Sequence, residues 1–437
     1  MTSMMSAEPP IESPGRSLFR DRRVMAWAAF DFANTPFVVL VATVGYATYF
    51  KDVVAAGARS GDFLWGLAGS ISMVLVALTA PATGAYADAA GAKRRLLMAY
   101  TAVAVVCTAL LATVKEGMVL WGMLLFIVAN VGFQGGQVFY NAFLPEVTGE
   151  RTLGAVSGLG FAAGYVGALL ALLGALPFFW NGFDQANLVN VQALFLFVAG
   201  FWAVFCIPTF VYLRDRGGPA SGASIARAPV ATRRTGSLAR LREDISQLRR
   251  GHRSLFRYLV AYLLYMDAVT TLTAFTAIYA RDTIGLSLPQ IISLYVISQF
   301  TAIPGSFVVG RLADRVGAKP TISGSLGLWL VLIFLGVVAR RYSTFVLIAL
   351  LAGVGTGALQ SVSRSFMAQL SPRDREAEFF GFFAVVGRVS AIFGPLLFGA
   401  VSSLSGNQRP ALASLIVPVA AGLVLLQGVQ APTPEAA

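Results

Sequence analysis

The sequence predicts an all-α membrane protein: twelve transmembrane helices in two pseudo-symmetric bundles of six. Three observations carry that reading. Of 437 residues, 57% are hydrophobic and only 12% charged, and the mean hydropathy is +0.71. Ordinary soluble domains carry roughly a quarter charged residues, so a soluble chain of this length has no way to cover so much apolar surface. Apolar stretches of about twenty residues recur from end to end, long enough to cross a bilayer as helices. One long hydrophilic interruption, residues 214–255, divides them six and six.

In chain order the spans fall near 24–50, 63–87, 95–114, 118–142, 152–177, 191–213, 256–280, 290–312, 320–338, 343–369, 377–402 and 409–428. Span one is too long and too polar for a cleaved signal peptide, and no small-residue cleavage site follows a short apolar core, so it is expected to stay as a helix. The organisation is then a tail at 1–23, a six-helix bundle at 24–213, a linker at 214–255, a second bundle at 256–428 and a tail at 429–437. The first part of the linker, rich in Gly, Pro, Ala and Arg, reads as flexible. Its second part places Leu238, Leu241, Ile245 and Leu248 at helical spacing among arginines. That pattern is a basic amphipathic helix, either lying on a membrane surface or tethering the halves in solvent.

The net charge of +12 is distributed as a membrane protein distributes it. The N-terminal tail and the loops after even spans hold 24 of the 33 Lys and Arg residues, against seven in the loops after odd spans. This positive-inside bias places both termini in the cytoplasm, with Arg340 and Arg341 as the exception, and removes any need for a nucleic-acid partner. Cys107 and Cys206 lie inside spans, which argues against a structural disulfide. The sole histidine, His252, has no His or Cys nearby, so no metal is expected, and nothing calls for a cofactor. Arginine outnumbers lysine 29 to 4, pointing to a GC-rich bacterial gene and a bacterial inner membrane.

The halves repeat one another. "GAYADAAGAKR" from Gly84 and "GRLADRVGAKP" from Gly310 match at an offset of 226. At 227, Pro145 pairs with Pro372, and Gly154, Gly160 and Gly167 pair with Gly381, Gly387 and Gly394. "YFKD" at 49–52 answers "YARD" at 279–282. Duplication of this kind builds secondary transporters, whose substrate site lies between the repeats near the midplane.

Twelve spans with a G-x-x-x-D-x-x-G-x-K loop after span two and again after span eight resemble the major facilitator superfamily. The copies are Gly84, Asp88, Gly91 and Lys93, then Gly310, Asp314, Gly317 and Lys319. Within it, "FDFANTPF", "FYNAFLPEV", "SGLGFAAGYVG", "SRSFMAQLSP" and "AEFFGFFAVVGRVSAIFGPLLFG" resemble the autophagy-related vacuolar amino-acid effluxer-like family and its bacterial relatives. The resemblance implies a secondary transporter, with amino-acid export in the fungal branch, and a cavity lined by spans one, four, seven and ten. In the first motif copy Ala89 stands where the superfamily commonly has a basic residue, while Arg315 keeps it in the second. That departure argues against a charge relay through the first copy. The duplicated Asp88 and Asp314 imply a latch that holds the cytoplasmic gate shut.

Once tails and loops are set aside, four ionised residues remain well inside spans: Asp31, Asp267, Arg364 and Arg388. Each would cost several kcal/mol facing lipid, so they should face a cavity or one another. At 1.5 Å per residue, Asp31 and Arg364 lie roughly 8–12 Å from their helix ends, and Asp267 and Arg388 about 16 Å. Trp27, Asp31, Asn34 and Thr35 share a face of span one. Asn130, Gln134, Gln137 and Asn141 form an amide stripe on span four, and Gln360 sits beside Arg364 on span ten. Such amides either line a binding site or hold helices together. An Asp–Arg pair is either structural or works on substrate and protons.

A zwitterion suits two acids and two bases, its carboxylate meeting Arg364 or Arg388 and its ammonium Asp31 or Asp267. Desolvation disfavours the charged form of a mid-membrane carboxyl and lets it carry protons, which makes Asp267 the first coupling candidate and Asp31 the second. Asp31 reads rather as an inner-gate or substrate-side group. The expected activity is transport of a small polar solute, an amino acid or similar zwitterion, by alternating access in a monomer surrounded by lipid. Efflux of hydrophobic drugs, or a non-transporting sensor or lipid-handling protein on the same scaffold, are the alternatives. No phosphate-cradling loop and no nucleophile–base pair is present in the sequence, which argues against an ATP-driven pump and an enzyme.

Overall fold

A computed structural model describes residues 20–43, 45–55, 61–179, 187–215, 248–286, 288–390 and 393–430. The expected linker helix (Leu238, Leu241 and Ile245) and most of both tails lie outside the described residues. Among the described residues, twelve helical spans run Arg22–Val54, Leu64–Ala90, Lys93–Thr113, Val119–Ala142, Leu153–Phe178, Leu188–Tyr212, Arg253–Thr273, Ser293–Val316, Ala318–Val338, Tyr342–Leu370, Glu376–Ser402 and Gln408–Gln427. Among the described residues there are no strands. Large apolar side chains such as Val106, Phe334 and Val424 point outward, the inverse of a water-soluble surface and the arrangement lipid requires.

Departures from regular helix have local causes. Pro36 cannot donate to the Phe32 carbonyl, and the α-helix Arg22–Phe37 gives way to π-helical turns at Val38–Thr43 and Phe50–Val54. The Phe32 carbonyl is instead approached by Gly167 of span five, where a Cβ would collide with it. Span six breaks at Cys206, ahead of Pro208. Span eleven is two pieces, Glu376–Val389 and Phe393–Ser405, with Ser390 in a turn.

The halves meet as the repeat demands. Span two packs on span eleven, and span five on span eight. At the second contact Gly154 and Gly310 lie backbone to backbone, each where a Cβ would strike the other's carbonyl. The motif glycines Gly91 and Gly317 adopt φ of 58° and 97°, turning the chain sharply between spans where other residues would be strained. We call the end of the molecule that carries these loops the motif end.

Candidate functional site

Closure of the halves is built in layers from the motif end inward. In the outermost layer the two motif aspartates act as helix caps across the interface. Asp88 accepts from the backbone N–H of Ala377 and Glu378 (3.2 and 2.9 Å), the opening turn of span eleven. Asp314 accepts from Gly154 and Ala155 (2.6 and 2.7 Å), the opening turn of span five. Each carboxylate satisfies orphan donors and meets the positive end of a helix belonging to the opposite half.

The lysines do not share one role. Lys93 Nζ sits among Asp88 (3.2 Å), Glu146 (2.8 Å) and Glu376 (2.6 Å), tying spans two and three, the loop after span four and span eleven. Lys319 instead donates to the carbonyls of Gln427 and Val429 at the end of span twelve. A charge network therefore does run through the first motif copy, the opposite of what Ala89 implied. Lys93 supplies the cation, and its acidic partners come from outside the motif.

The second layer is an ion pair between halves. Arg364 of span ten donates Nη1–H to Asp31 Oδ2 of span one at 3.0 Å, and to Asn141 Oδ1 at 3.4 Å. Its Nε–H goes to the Ser157 hydroxyl and its Nη2–H to the Ser157 carbonyl (2.9 and 2.6 Å). The guanidinium lies 4.0 Å from the Phe161 ring centre and 4.7 Å from that of Trp27. Trp27 is itself stacked on Tyr140 and donates to the Tyr140 carbonyl at 3.0 Å. Arg364 is 3% exposed and Asp31 5%, so the pair is dry and nearly saturated with partners.

A third layer lies nearer the midplane, where Tyr165 donates to Gln360 Oε1 across the halves at 3.2 Å. The Ser157 hydroxyl adds a further link beside Arg364, donating to the Ser361 carbonyl of span ten at 2.7 Å. Apart from Asn141, which accepts from Arg364, the amide stripe bonds within the first half: Asn130 donates to Ser72, Gln134 to Asn130, and Gln137 to Asn34 Oδ1 (2.7, 3.5 and 3.2 Å). Asn34 Nδ2 and Gln134 Oε1 are left without partners.

The two remaining intramembrane charges are not paired with each other. Asp267 accepts from the Gly394 N–H at 2.7 Å. Arg388, in the last turn of the first piece of span eleven, has a buried Nε without an acceptor. Among the described residues no carboxylate comes within ion-pair distance of it.

Comparison with known proteins follows the same lines. The family model described as "Vacuole effluxer Atg22 like" matches residues 65–154 and 148–433. The chain belongs to that family. YxiO, an uncharacterized MFS-type transporter of Bacillus subtilis (strain 168), is 29% identical over 92% of this chain and 93% of its own length. Autophagy-related protein 22 of Chaetomium globosum is 24% identical over 78% of this chain, with 65% of that longer relative covered. Among solved structures, the human organic anion transporter MFSD10 superimposes with a TM-score of 0.71 at 17% identity, covering 95% of this chain and all of that one. This likeness shows the major facilitator fold. Family and fold together make the chain a multi-pass membrane transporter.

In this Atg22-like chain the layers also contain residues that sequence reasoning passed over. Glu146 and Glu376 lie at span ends and read as solvated loop charges. Ser157 lies in the glycine-rich stretch of span five, uncharged and with nothing in the sequence to single it out. Gly160 carried the best available signal, since it belongs to the repeated glycines. A Cβ there would stand 2.7 Å from Trp27 and 2.9 Å from both Arg364 Nη2 and Asp31 Oδ2.

Proposed function

We propose that this chain is a secondary transporter of a small zwitterion of the amino-acid class in a bacterial plasma membrane. Its motif end faces the cytoplasm, as the distribution of Lys and Arg indicates. Three interlocked layers close that end, so the conformation receives solute from the other side. The observation that carries the substrate reading is Arg388. An intramembrane guanidinium without a carboxylate is costly, and a substrate carboxylate removes that cost. Arg364, the other candidate cation, is already occupied by Asp31. The substrate ammonium goes to amide oxygens of spans one and four, where Gln134 Oε1 stands without a donor.

The cycle then follows from separating Asp31 and Arg364. Opening the motif end pulls span ten away from span one and leaves a carboxylate with no cation beside it. Asp31, freed in that state, is the group through which opening is coupled to the ion gradient. The test is uptake of an amino-acid panel into proteoliposomes, with and without an imposed pH gradient. Arg388→Ala is expected to lose uptake while remaining monodisperse, and Arg388→Lys to retain part of it. Undiminished uptake by Arg388→Ala would refute the substrate reading.

A further inference from the structure

We infer that Asp267 is a positioning residue for Arg388, acting as a helix cap within the membrane rather than as a proton carrier. The inference rests on the reading of Arg388 as the substrate cation. It begins with the break in span eleven. The helix that opens at Glu376 ends at Val389, and Ser390 turns, its N–H still bonded to the Val386 carbonyl and its hydroxyl to that of Gly387. The second piece is helical from Phe393, with Gly394 and Pro395 in its first described turn. Pro395 has no N–H to satisfy, whereas Gly394 has one, and it lies in the bilayer where water does not serve it. Asp267 Oδ1 accepts it at 2.7 Å.

The joint is close-fitting on both sides of the break. A Cβ on Gly394 would collide with the Thr271 hydroxyl and stand 2.9 Å from Asp267 Oδ2, so the backbone rests directly on span seven. Thr271, one turn beyond Asp267, donates to the Asp267 carbonyl and keeps that face in register. On the other side, Gly387 lies against Tyr262, whose ring packs on Phe383 with centroids 4.3 Å apart. Span seven thus grips span eleven through Tyr262 before the break and through Asp267 after it, and Arg388 is held between the two grips. A cap needs an acceptor oxygen, not a charge, and asparagine caps as well as aspartate. Among the described residues no cation lies within ion-pair distance of Asp267, so no structural partner requires its charge.

The cap and the proton carrier predict opposite results for one substitution. Spin labels at Thr273→Cys and Leu404→Cys, both exposed sites, in a background without Cys107 and Cys206, report the distance from span seven to the second piece of span eleven. Asp267→Asn is expected to keep the parent distance distribution and gradient-driven amino-acid uptake within about twofold. Asp267→Ala is expected to broaden the distribution and raise KM about tenfold or more, with a smaller change in kcat. Two results overturn the inference: an unchanged distribution in Asp267→Ala, or loss of gradient-driven uptake in Asp267→Asn with the distances intact. If the parent carries no amino acid, the substrate reading falls, while the distance comparison still decides whether Asp267 is a cap.

Discussion

Arg364 and Asp31, 333 residues apart in sequence, form one buried ion pair at 3.0 Å that ties span ten of the second half to span one of the first. Because the pair is dry, removing one partner strands a charge. Asp31→Asn and Arg364→Gln are each expected to cost about 3–5 kcal/mol of stability in the closed state. The double substitution strands neither charge and should cost less than the sum. Thermal unfolding of the four proteins in detergent closes the cycle, and additive costs would contradict the pairing.

The two caps make a second prediction. Asp88→Ala and Asp314→Ala each leave two helix N–H groups without an acceptor, a loss of about 1 kcal/mol per cap. That shifts the closed-to-open balance roughly fivefold. Ser361 is buried on span ten, its hydroxyl bonded to Ser306 of span eight and its carbonyl to Ser157 of span five, and Ser361→Cys reports the shift through its rate of alkylation by a membrane-permeant maleimide. The rate should rise in both variants, and in Asp314→Ala as much as in Asp88→Ala, because the caps are related by the duplication.

The lysines of the two motif copies should behave differently. Lys93→Met leaves Asp88, Glu146 and Glu376 close together without their cation, whereas Lys319→Met removes a donor from two carbonyls. The larger loss of stability is expected for Lys93→Met, and it should be pH-dependent. Crowded carboxylates bind protons more readily folded than unfolded, so the stability of this variant rises as pH falls. Melting temperatures at pH 8 and pH 5 check the sign: Lys93→Met should gain on acidification relative to the parent.

The spans were legible because lipid imposes a simple rule on every turn, and observed boundaries differ from the predicted ones by four residues or fewer except at the end of span seven, where the difference is seven. The four intramembrane charges were legible by elimination. Their partners were not. Asp31 maps through the repeat to Ala261, so symmetry gave no hint that its partner lies on span ten. Glu146 and Glu376 sit at helix ends, where a charge usually meets water, and only the packing of span eleven on span two buries them beside Lys93. Asp267 was read as a proton carrier from its depth alone. Its partner is a backbone amide exposed by a helix break, which the Gly394–Pro395 pair made possible without specifying the acceptor.

Gly160 offers the most local test of the inner ion pair. In span five its hydrogen faces Trp27, Arg364 and Asp31, and a methyl group would lie within 2.9 Å of all three. Trp27 is stacked on Tyr140 and bonded to its carbonyl, so it has little freedom to retreat. The guanidinium and carboxylate must give way, lengthening their contact or breaking it. Gly160→Ala should therefore destabilise the closed state and raise Ser361→Cys alkylation, although alanine is the better helix former by about 1 kcal/mol. In an Asp31→Asn, Arg364→Gln background the pair is already gone, and the same methyl should cost much less. An equal cost in both backgrounds would show that Gly160 serves helix packing alone, and that its approach to the ion pair is incidental.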